Sequence, residues 1–571
     1  MSIEITGLAA AIYAGGMYLN AKFNIRDDLN ALSHMRKASR YFARAEKENR
    51  LSVWYIADAA FKRYAQQRAI WTRHESLSFQ ECHLRIIQFA NWLLAKGIGP
   101  DDCFAMYMNN SVDFILLWFA AVCIGAYPAF LNYNLEGDSL LRCLKVCEPK
   151  LLLVSPHEDC LERTQREGDA IRDMDIETIV MDVVTKDQVF SMSSAVLDDS
   201  YRDGVTGETP VVLVYTRNAK SMPPYASPDL DYNPMPIYHG TGGITSFRVL
   251  LSGVGIALAP KFSVSQFWTD IHESGATHFI YVGETARYLI NSPPHPLERK
   301  HKLICAYENG LRPDVWTRFQ ERFNIPEMVE FFSSTEVKVD YETGDIWRDP
   351  ATGFARRVPY EEGGELLMAL PNKESFQGYW KSPQATEKKL CLDVFRKGDV
   401  YYRTGDALRR NSEGLWYFLD RLGDTYRWKS DNVSTAEVAE VLGHFPGVLE
   451  ATVYGVELPN HDGRAGCAAV RLSPEFSANP DYGALAENLS KSLPSYAVPV
   501  FLRVMQTGTY TDNHKQNKVP LKKEGVNPRL AGTVIPGGDQ DSFLWLPTKS
   551  STYVSFSQAD WDKLETCSAR L

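Results

Sequence analysis

The chain has 571 residues, too many for a single hydrophobic core, so roughly two to four domains are expected. It is 44% hydrophobic and 23% charged with no low-complexity tract, a globular composition. A net charge of −10 argues against nucleic acid as a partner on bulk electrostatics. The 10 cysteines are scattered among apolar neighbours, as at Cys103, Cys123 and Cys305. No pair has zinc spacing, and Cys143 and Cys147, four apart, suit one helix face. They read as reduced core thiols of an intracellular protein.

The chain opens with a mostly apolar run, Ile5 to Leu19, of 15 residues. That is below the roughly 18 to 20 needed to span a bilayer. Glu4 precedes it and no basic residue does, which makes a poor secretory signal. Asp27-Asp28 could start a helix. Arg36 to Arg44 then mixes basic and apolar residues, as a helix lying on an anionic membrane surface does, or a solvated helix packed on the main domain.

From Ser76, apolar residues recur at three and four (Ile86, Ile87, Ala90, Leu93, Leu94), which predicts an amphipathic helix stopping at Lys96-Gly97. Phe104 to Met108 predicts a strand, Val112 to Ile124 a buried helix, and Ala126 to Phe130 and Leu151 to Val154 further strands. This alternation argues for a parallel sheet with helices on both faces. Val211 to Thr216 predicts a buried strand, and Thr277 to Gly283 another. Between them Ala226 to Asn233 is brief and turn-rich. Glu330 to Glu336 reads as a strand ending in a helix capped by Ser334 or Thr335, unless it carries chemistry.

Val400 to Thr435 is the most informative stretch. Arg403-Thr404-Gly405-Asp406 and Asp420-Arg421-Leu422-Gly423-Asp424 read as two acidic turns around an apolar strand, Gly414 to Leu419. A carboxylate on a loop after a strand end suits the hydroxyls of a sugar. Beyond it, Ala436 to Leu442 predicts a helix, and Ala451 to Val456 and Ala468 to Leu472 predict strands.

Tyr402 to Asp406 resembles the ribose-binding segment of the adenylate-forming superfamily. Asp420 to Lys429, with Asn432-Val433-Ser434-Thr435, is similar to the signature of its fatty-acid transport protein or very-long-chain acyl-CoA synthetase family. The resemblance covers most of residues 50 to 530. It implies an α/β protein: a large N-terminal adenylate-forming domain of sheets with flanking helices (51–422), after a membrane-associating segment (1–50). A small mobile C-terminal α+β domain (423–571) follows, hinged at Gly423, where glycine's wide φ/ψ range is useful.

The resemblance also implies roles. Asp406 and Arg421 hold the nucleotide. In Glu330 to Glu336, Phe332 stacks near the adenine, Thr335 meets the α-phosphate and Glu336 binds Mg²⁺, for which a carboxylate is a hard oxygen ligand. His239, in Tyr238-His239-Gly240-Thr241-Gly242, faces the acyl pocket. Tyr215 and Thr216 lead into the ATP phosphate loop, Ser430 borders the CoA tunnel, and Lys429 beside it is a further cofactor-binding candidate. The adenylation lysine follows a Thr-Gly-Thr-aromatic run, here Thr507 to Tyr510. Thr511 to His514 look inserted, so Lys515 is the best match and Lys518 the second.

The chain departs from the family in three places. Ser333 and Val337 replace glycines, and Ser430-Asp431 replaces Gly-Glu. The phosphate loop should be rich in Gly, Ser and Thr and end in Pro-Lys, cradling phosphates with backbone N–H groups. Residues 217 to 224 contain no glycine, Pro224 holds the lysine position, and only 19 residues separate Thr216 from Pro236. Arg217 and Lys220 could supply charge. Either the loop is lost and the protein is a non-catalytic lipid-binding or transport-type homologue, or the sequence derives from an incomplete gene model.

The leading expectation is an ATP-, Mg²⁺- and CoA-dependent ligase for long or very long fatty acids, with or without a role in their uptake. A peroxisomal ligase for a secondary-metabolite carboxylate would look much the same. An adenylation module feeding a carrier protein is disfavoured by Arg427-Trp428-Lys429. Ala569-Arg570-Leu571 is a variant of the peroxisomal C-terminal address, implying an import receptor as partner.

Overall fold

The computed structural model describes residues 25–213, 225, 228–309, 313–330, 335–337, 346–359, 363–376, 378–412, 416–422, 424–428, 431–459, 461, 463–511, 516–548 and 550–566. It divides into two compact units. One is drawn from Met1–Arg217 and Gly243–Gly255, the other from Asn218–Gly242 and Ile256–Leu571.

The first unit begins with helix α1 (Ile25–Lys47). Helix α2 (Phe79–Ala95) is the predicted amphipathic helix, and its limits are set by local chemistry. Ser78 Oγ accepts from the Glu81 amide at 3.2 Å, and the Glu81 carboxylate accepts from the Ser78 amide at 2.7 Å. This reciprocal cap satisfies two otherwise orphaned donors. At the other end Gly97 takes a positive φ of 78°, the glycine stop expected of a helix C-terminus.

A parallel sheet follows, with strands β1 (Cys103–Tyr107), β2 (Tyr127–Phe130), β3 (Leu151–Val154) and β4 (Glu177–Val180) in the order β2-β1-β3-β4. Helix α3 (Val112–Cys123) is buried along its whole length. Trp118 and Phe119 of α3 stack on Phe247 of helix α4 (Gly240–Leu251), with centroids 4.2 and 4.4 Å apart. The strand expected from Val211 is reduced, among the described residues, to one bridge. Leu213 exchanges hydrogen bonds with Pro128 and Phe130 at 2.9 Å. Val211 is half-exposed, and its carbonyl accepts from the Trp118 indole at 2.9 Å rather than from a neighbouring strand. Val214 to Thr216 lie outside the described residues.

In the second unit, β5 (Leu230–Asn233), β6 (Gly255–Leu258), β7 (His278–Val282), β8 (Cys305–Asn309) and β9 (Glu327–Glu330) run in the order β9-β8-β7-β5-β6. The pairings β9–β8, β8–β7 and β7–β5 are parallel. β5 lies in the brief stretch before Pro236 that has no room for both a helix and a strand; the strand forms and is buried throughout. Its inward Asp231 is met by phenols. Tyr225 donates to it at 2.8 Å and Tyr307 also donates to it. A buried carboxylate is tolerated only with such donors.

A second, antiparallel sheet holds β10 (Thr335–Val337), β11 (Gly364–Leu370), β12 (Leu390–Leu392), β13 (Val400–Arg410) and β14 (Trp416–Arg421). Its order is β10-β11-β13-β12, with β14 also on β13. Thr335 to Val337 are thus strand, not the start of a capped helix.

Residues from Tyr426 to Leu564 share one hydrophobic core of their own. It lies around the sheet β15 (Val448–Glu457), β16 (Arg464–Leu472), β17 (Phe501–Val504), β18 (Ser542–Trp545) and β19 (Val554–Ser555) and includes helix α5 (Thr435–His444), capped by Ser434. At its centre the fully buried Arg503 donates to Glu524 and to Asp541, both at 2.7 Å. Glu524 also accepts from the Val534 and Ile535 amides at 2.7 Å. Burial alone would raise the Glu524 pKa; the two amides and Arg503 outweigh it, and the carboxyl is held below its ordinary value. A lowered folded-state pKa gives stability that is present above the unfolded carboxyl range and lost as pH falls below it. Arg503→Ala leaves two buried carboxylates without their cation and should cost about 3–5 kcal/mol. Urea denaturation will measure it, and in the unmodified chain the same experiment should show stability declining below about pH 4.3.

Candidate active site

The site is built around a buried carboxylate. Glu365 lies on β11 and is fully buried. It accepts from Arg403 Nε at 3.0 Å and Nη2 at 2.7 Å, and from the Gly405 amide at 3.1 Å. Thr404 Oγ1 donates to the Leu366 carbonyl at 2.7 Å and accepts from the Asp406 amide at 3.1 Å. Gly405 has a φ of 80°, a region in which a Cβ would be strained. Its carbonyl accepts from the Leu422 amide at 2.9 Å.

These bonds overturn the reading of Arg403 to Asp406 as a turn. The segment lies inside β13. Glu365 and Leu422 take up the amide and carbonyl of Gly405, so the strand runs on through a residue that would otherwise break it. The irregularity appears instead as a register shift between Glu365 and Leu367.

The register then assembles the candidates. Asp406 is paired directly with Arg421 of β14, which places their Cα atoms about 5 Å apart. On the other side Glu336 is paired with Leu366, and Thr335 with Leu367. Leu366 carries the Thr404 bond next to Asp406. Positions 336, 366, 406 and 421 therefore lie across four adjacent strands spaced about 4.8 Å apart. That brings an acid suited to magnesium, an acid suited to ribose hydroxyls and a guanidinium position onto one sheet. It is a donor set that fits a nucleotide and its metal.

His239 enters from the parallel sheet. It follows β5 and immediately precedes α4. The turn that places it is tight: the Asn233 side chain donates to the Gly242 carbonyl at 2.8 Å and accepts from the Met235 amide at 2.9 Å. A Cβ at Gly242 would collide with the Pro236 carbonyl, so only glycine fits. The His239 ring lies 4.5 Å from that of Tyr238. Strands β5 and β9 run in the same direction in this sheet. His239 and the last residue of β9, Glu330, thus lie toward the same edge of the sheet, the carboxyl end where ligands bind in open α/β sheets.

Tyr215, Thr216, Phe332, Lys429, Ser430 and Lys515 lie outside the described residues, as do Arg217 to Pro224 and Gly423. Thr335, Glu336 and Arg421 are placed by their backbone pairing. Lys518, the second choice for the adenylation lysine, is engaged. It donates to Thr435 at 2.7 Å and lies 3.2 Å from Asp424, which Lys522 also meets at 2.9 Å. Burial would raise the Asp424 pKa, but the two lysines overcome that and hold it below the ordinary value. Sequence reasoning passed over Glu365 as part of a matching segment. The available signal was a carboxylate between two glycines and a Leu-Leu pair in a strand.

Comparison with known proteins shows the family. The model of the AMP-binding enzyme family matches residues 57–217 and 213–380. The chain belongs to the AMP-binding enzyme family. It is 41% identical to "Isopenicillin N epimerase component 1" of Hapsidospora chrysogena, over 99% of this chain and 98% of that protein. It is 32% identical to a very long-chain fatty acid transport protein of Cochliobolus heterostrophus, over 98% and 95%. It is also 32% identical to a medium/long-chain-fatty-acid–CoA ligase of Mycobacterium tuberculosis, over 87% and 90%. Among solved structures, an anthranilate CoA ligase in complex with anthranoyl-AMP shares the fold, with a TM-score of 0.68 at 16% identity over 83% of this chain and 96% of that one.

Two details bear on the phosphate loop. The family match is split into two pieces that meet at residues 213–217, where the sequence departs from the family. The alignment with the 41% identical relative spans 616 positions against 571 residues here, so tens of the relative's positions face gaps.

Glu365→Ala should release Arg403 and Gly405 together. The expected outcome is a loss of about 3–5 kcal/mol in stability and nucleotide binding weakened by about tenfold or more. Urea denaturation and titration with ATP check the two.

Proposed function

We propose that this chain is an AMP-forming acid–CoA ligase that activates long and very long fatty carboxylates. The observation that carries the reading is the placing of Glu336, Asp406 and Arg421 across adjacent strands of one sheet. Family membership and similarity to a fatty-acid–CoA ligase support it.

The chemistry follows from charge. A fatty carboxylate is a weak nucleophile and ATP is a polyanion. Asp406 and Arg421 hold the ribose end and so orient the α-phosphorus. The ammonium of Lys515 offsets the repulsion as the carboxylate attacks and pyrophosphate leaves. Magnesium, held by Glu336, would supply further positive charge beside the phosphates. The acyl-adenylate is a mixed anhydride, open to the CoA thiol. Rotation about Gly423 would exchange the lysine for the CoA tunnel bordered by Ser430.

A second reading concerns the acid. Identity is higher to a protein named for isopenicillin N, at 41%, than to the fatty-acid proteins at 32%. That favours a secondary-metabolite carboxylate in the same site. The altered segment from Arg217 to Pro224 supports a third reading, a non-catalytic homologue. One experiment separates them: ATP- and CoA-dependent thioester formation by the purified chain with medium, long and very long fatty acids and isopenicillin N. Thioester with long acids, reduced about 100-fold or more by Lys515→Ala, is the expected result. Turnover confined to isopenicillin N selects the second reading. No thioester and no ATP binding in the unmodified chain sinks catalysis.

The proposal extends to a membrane surface and a peroxisomal address. Among the described residues no helix is long and apolar enough to cross a membrane. Leu29, Leu32, Met35 and Phe42 of α1 are nonetheless exposed, on a helix that also carries Arg36, Lys37, Arg40 and Arg44. Such a helix can lie in an anionic interface. Flotation with phosphatidylserine vesicles should be lost in a Leu32→Glu, Met35→Glu variant. Import of a fluorescent fusion into peroxisomes should be lost on removing Ala569 to Leu571. Retention in either case overturns that part of the proposal.

A further inference from the structure

Two residues on one helical face meet the start of β15 and the side chain that it holds. Tyr288 lies on the helix Gly283–Ile290, and Asn291 follows directly at its end. Residues three apart on a helix share a face. The Tyr288 ring meets that of Tyr510 edge to face, with centroids 5.4 Å apart and planes at 89°. Asn291 Nδ2 donates to the Leu449 carbonyl at 3.2 Å. Leu449 and Glu450 are successive residues of β15, and the Tyr510 hydroxyl donates to Glu450.

Both sides of this contact are fixed before they meet. On one side Arg322 braces the end of the helix. It donates to the Ile290 carbonyl, to the Ser292 carbonyl at 3.0 Å and to Glu298 at 2.8 Å. Asn291 lies between the two carbonyls so held. Phe262 stands beside the Tyr288 ring, with centroids 6.1 Å apart. On the other side Glu450 is buried, accepts from Gln516 at 3.3 Å and has Arg471 at 3.6 Å to balance its charge. Gly508 leaves room for the Tyr510 ring, since a Cβ there would collide with its hydroxyl. Groups ordered in advance lose little freedom on meeting.

The contact is also weak enough to release. Asn291 is exposed, so water competes for its hydrogen bond. An aromatic pair and a hydrogen bond of this kind are each worth roughly two- to tenfold in an equilibrium, and together on the order of 30-fold. That biases an orientation without making it permanent, as polar interfaces within a chain do. The helix begins directly after β7, at the carboxyl edge of the sheet toward which His239 and Glu330 also lie.

We infer that Tyr288 and Asn291 are positioning residues that dock the domain built on the Tyr426 to Leu564 core in the orientation used for adenylation. This rests on the ligase reading, in which that domain turns between the two half-reactions. The docked side includes Tyr510, the last residue of the Thr507 to Tyr510 run that the resemblance ties to the first of them. Losing the contact frees the domain to leave. Adenylation then slows, and the step that admits the CoA thiol does not.

The test uses the full chain and measures the half-reactions apart. Pyrophosphate release with ATP and a long fatty acid, without CoA, reads adenylation. Thioester formation from supplied acyl-adenylate and CoA reads the second step. In the double variant Tyr288→Ala, Asn291→Ala, adenylation should fall about tenfold, with the second step within about twofold or faster. Tyr288→Phe, which keeps the ring contact, should stay within about threefold of the unmodified chain. Equal loss of both steps, or no loss, overturns the inference. A second readout needs no turnover: the distance, by pulsed electron paramagnetic resonance, between spin labels carried on unnatural side chains at the exposed positions Arg318 and Glu487. The unmodified chain should give one dominant distance and the double variant a broad distribution. Identical distributions overturn the docking. Absence of adenylation in the unmodified chain overturns the ligase reading and the assignment to a half-reaction with it; the label distances then decide the docking by themselves.

Discussion

The candidate site of this protein depends on Glu365 being buried and supplied with donors. Taking a carboxylate out of water costs several kcal/mol unless donors replace the lost hydration. Here Arg403 and the Gly405 amide replace it. Both donors sit on one strand, two residues apart, so satisfying Glu365 fixes that strand's register at its irregular point. Asp406 is then held opposite Arg421. The same glycine accepts from Leu422, the residue before the expected hinge. One buried carboxylate thus ties this strand to the start of the C-terminal part.

Local chemistry made the first unit legible. Helix α2 has an amphipathic repeat and a glycine stop, which made its end readable to within about one residue, whereas the reading began the segment at Ser76 and the Ser78–Glu81 cap starts the helix at Phe79. The alternation of short apolar strands with helices likewise implied a parallel sheet. The segment Arg403 to Asp406 was not legible, because Gly-Asp signals a turn locally while the decision lies with Glu365, some forty positions earlier. The strand Leu230–Asn233 was obscured for the same kind of reason: its inward Asp231 argues for a loop until Tyr307, far along the chain, supplies a donor. Glu365 and Glu450 shared this fate, since acidic residues are seldom fully buried unless paired. Asp406, Arg421 and Glu336 could be named from motifs, but that they occupy adjacent strands of one sheet is a fact of register, which no motif contains.

Three independent features coincide between Leu213 and Pro236. The family match is split there, the two compact units divide there, and the sequence has no phosphate-binding glycines there. Tyr225, only six residues before Asp231, donates to it at 2.8 Å and lies 2.8 Å from the Tyr307 hydroxyl. The connection thus contributes a polar partner that the buried strand requires, beyond joining two elements. On the proposed reading, the chemical consequence of this segment falls on the phosphates.

That consequence can be reasoned from which contacts act when. On the proposed reading, Asp406 and Arg421 would hold groups of ATP that do not change during reaction, so their contacts would be of equal strength in the ground and transition states. Contacts at the phosphates tighten as charge moves onto the leaving pyrophosphate, and only these speed the chemical step. Backbone N–H groups supplied by a glycine-rich loop are fixed in advance and cost no reorganisation. Arg217 and Lys220 carry enough charge to replace them, but each must first surrender the freedom of a long side chain, on the order of 2 kcal/mol. A family member with the ribose strand intact and this segment in place of the loop therefore loses turnover before it loses affinity for ATP.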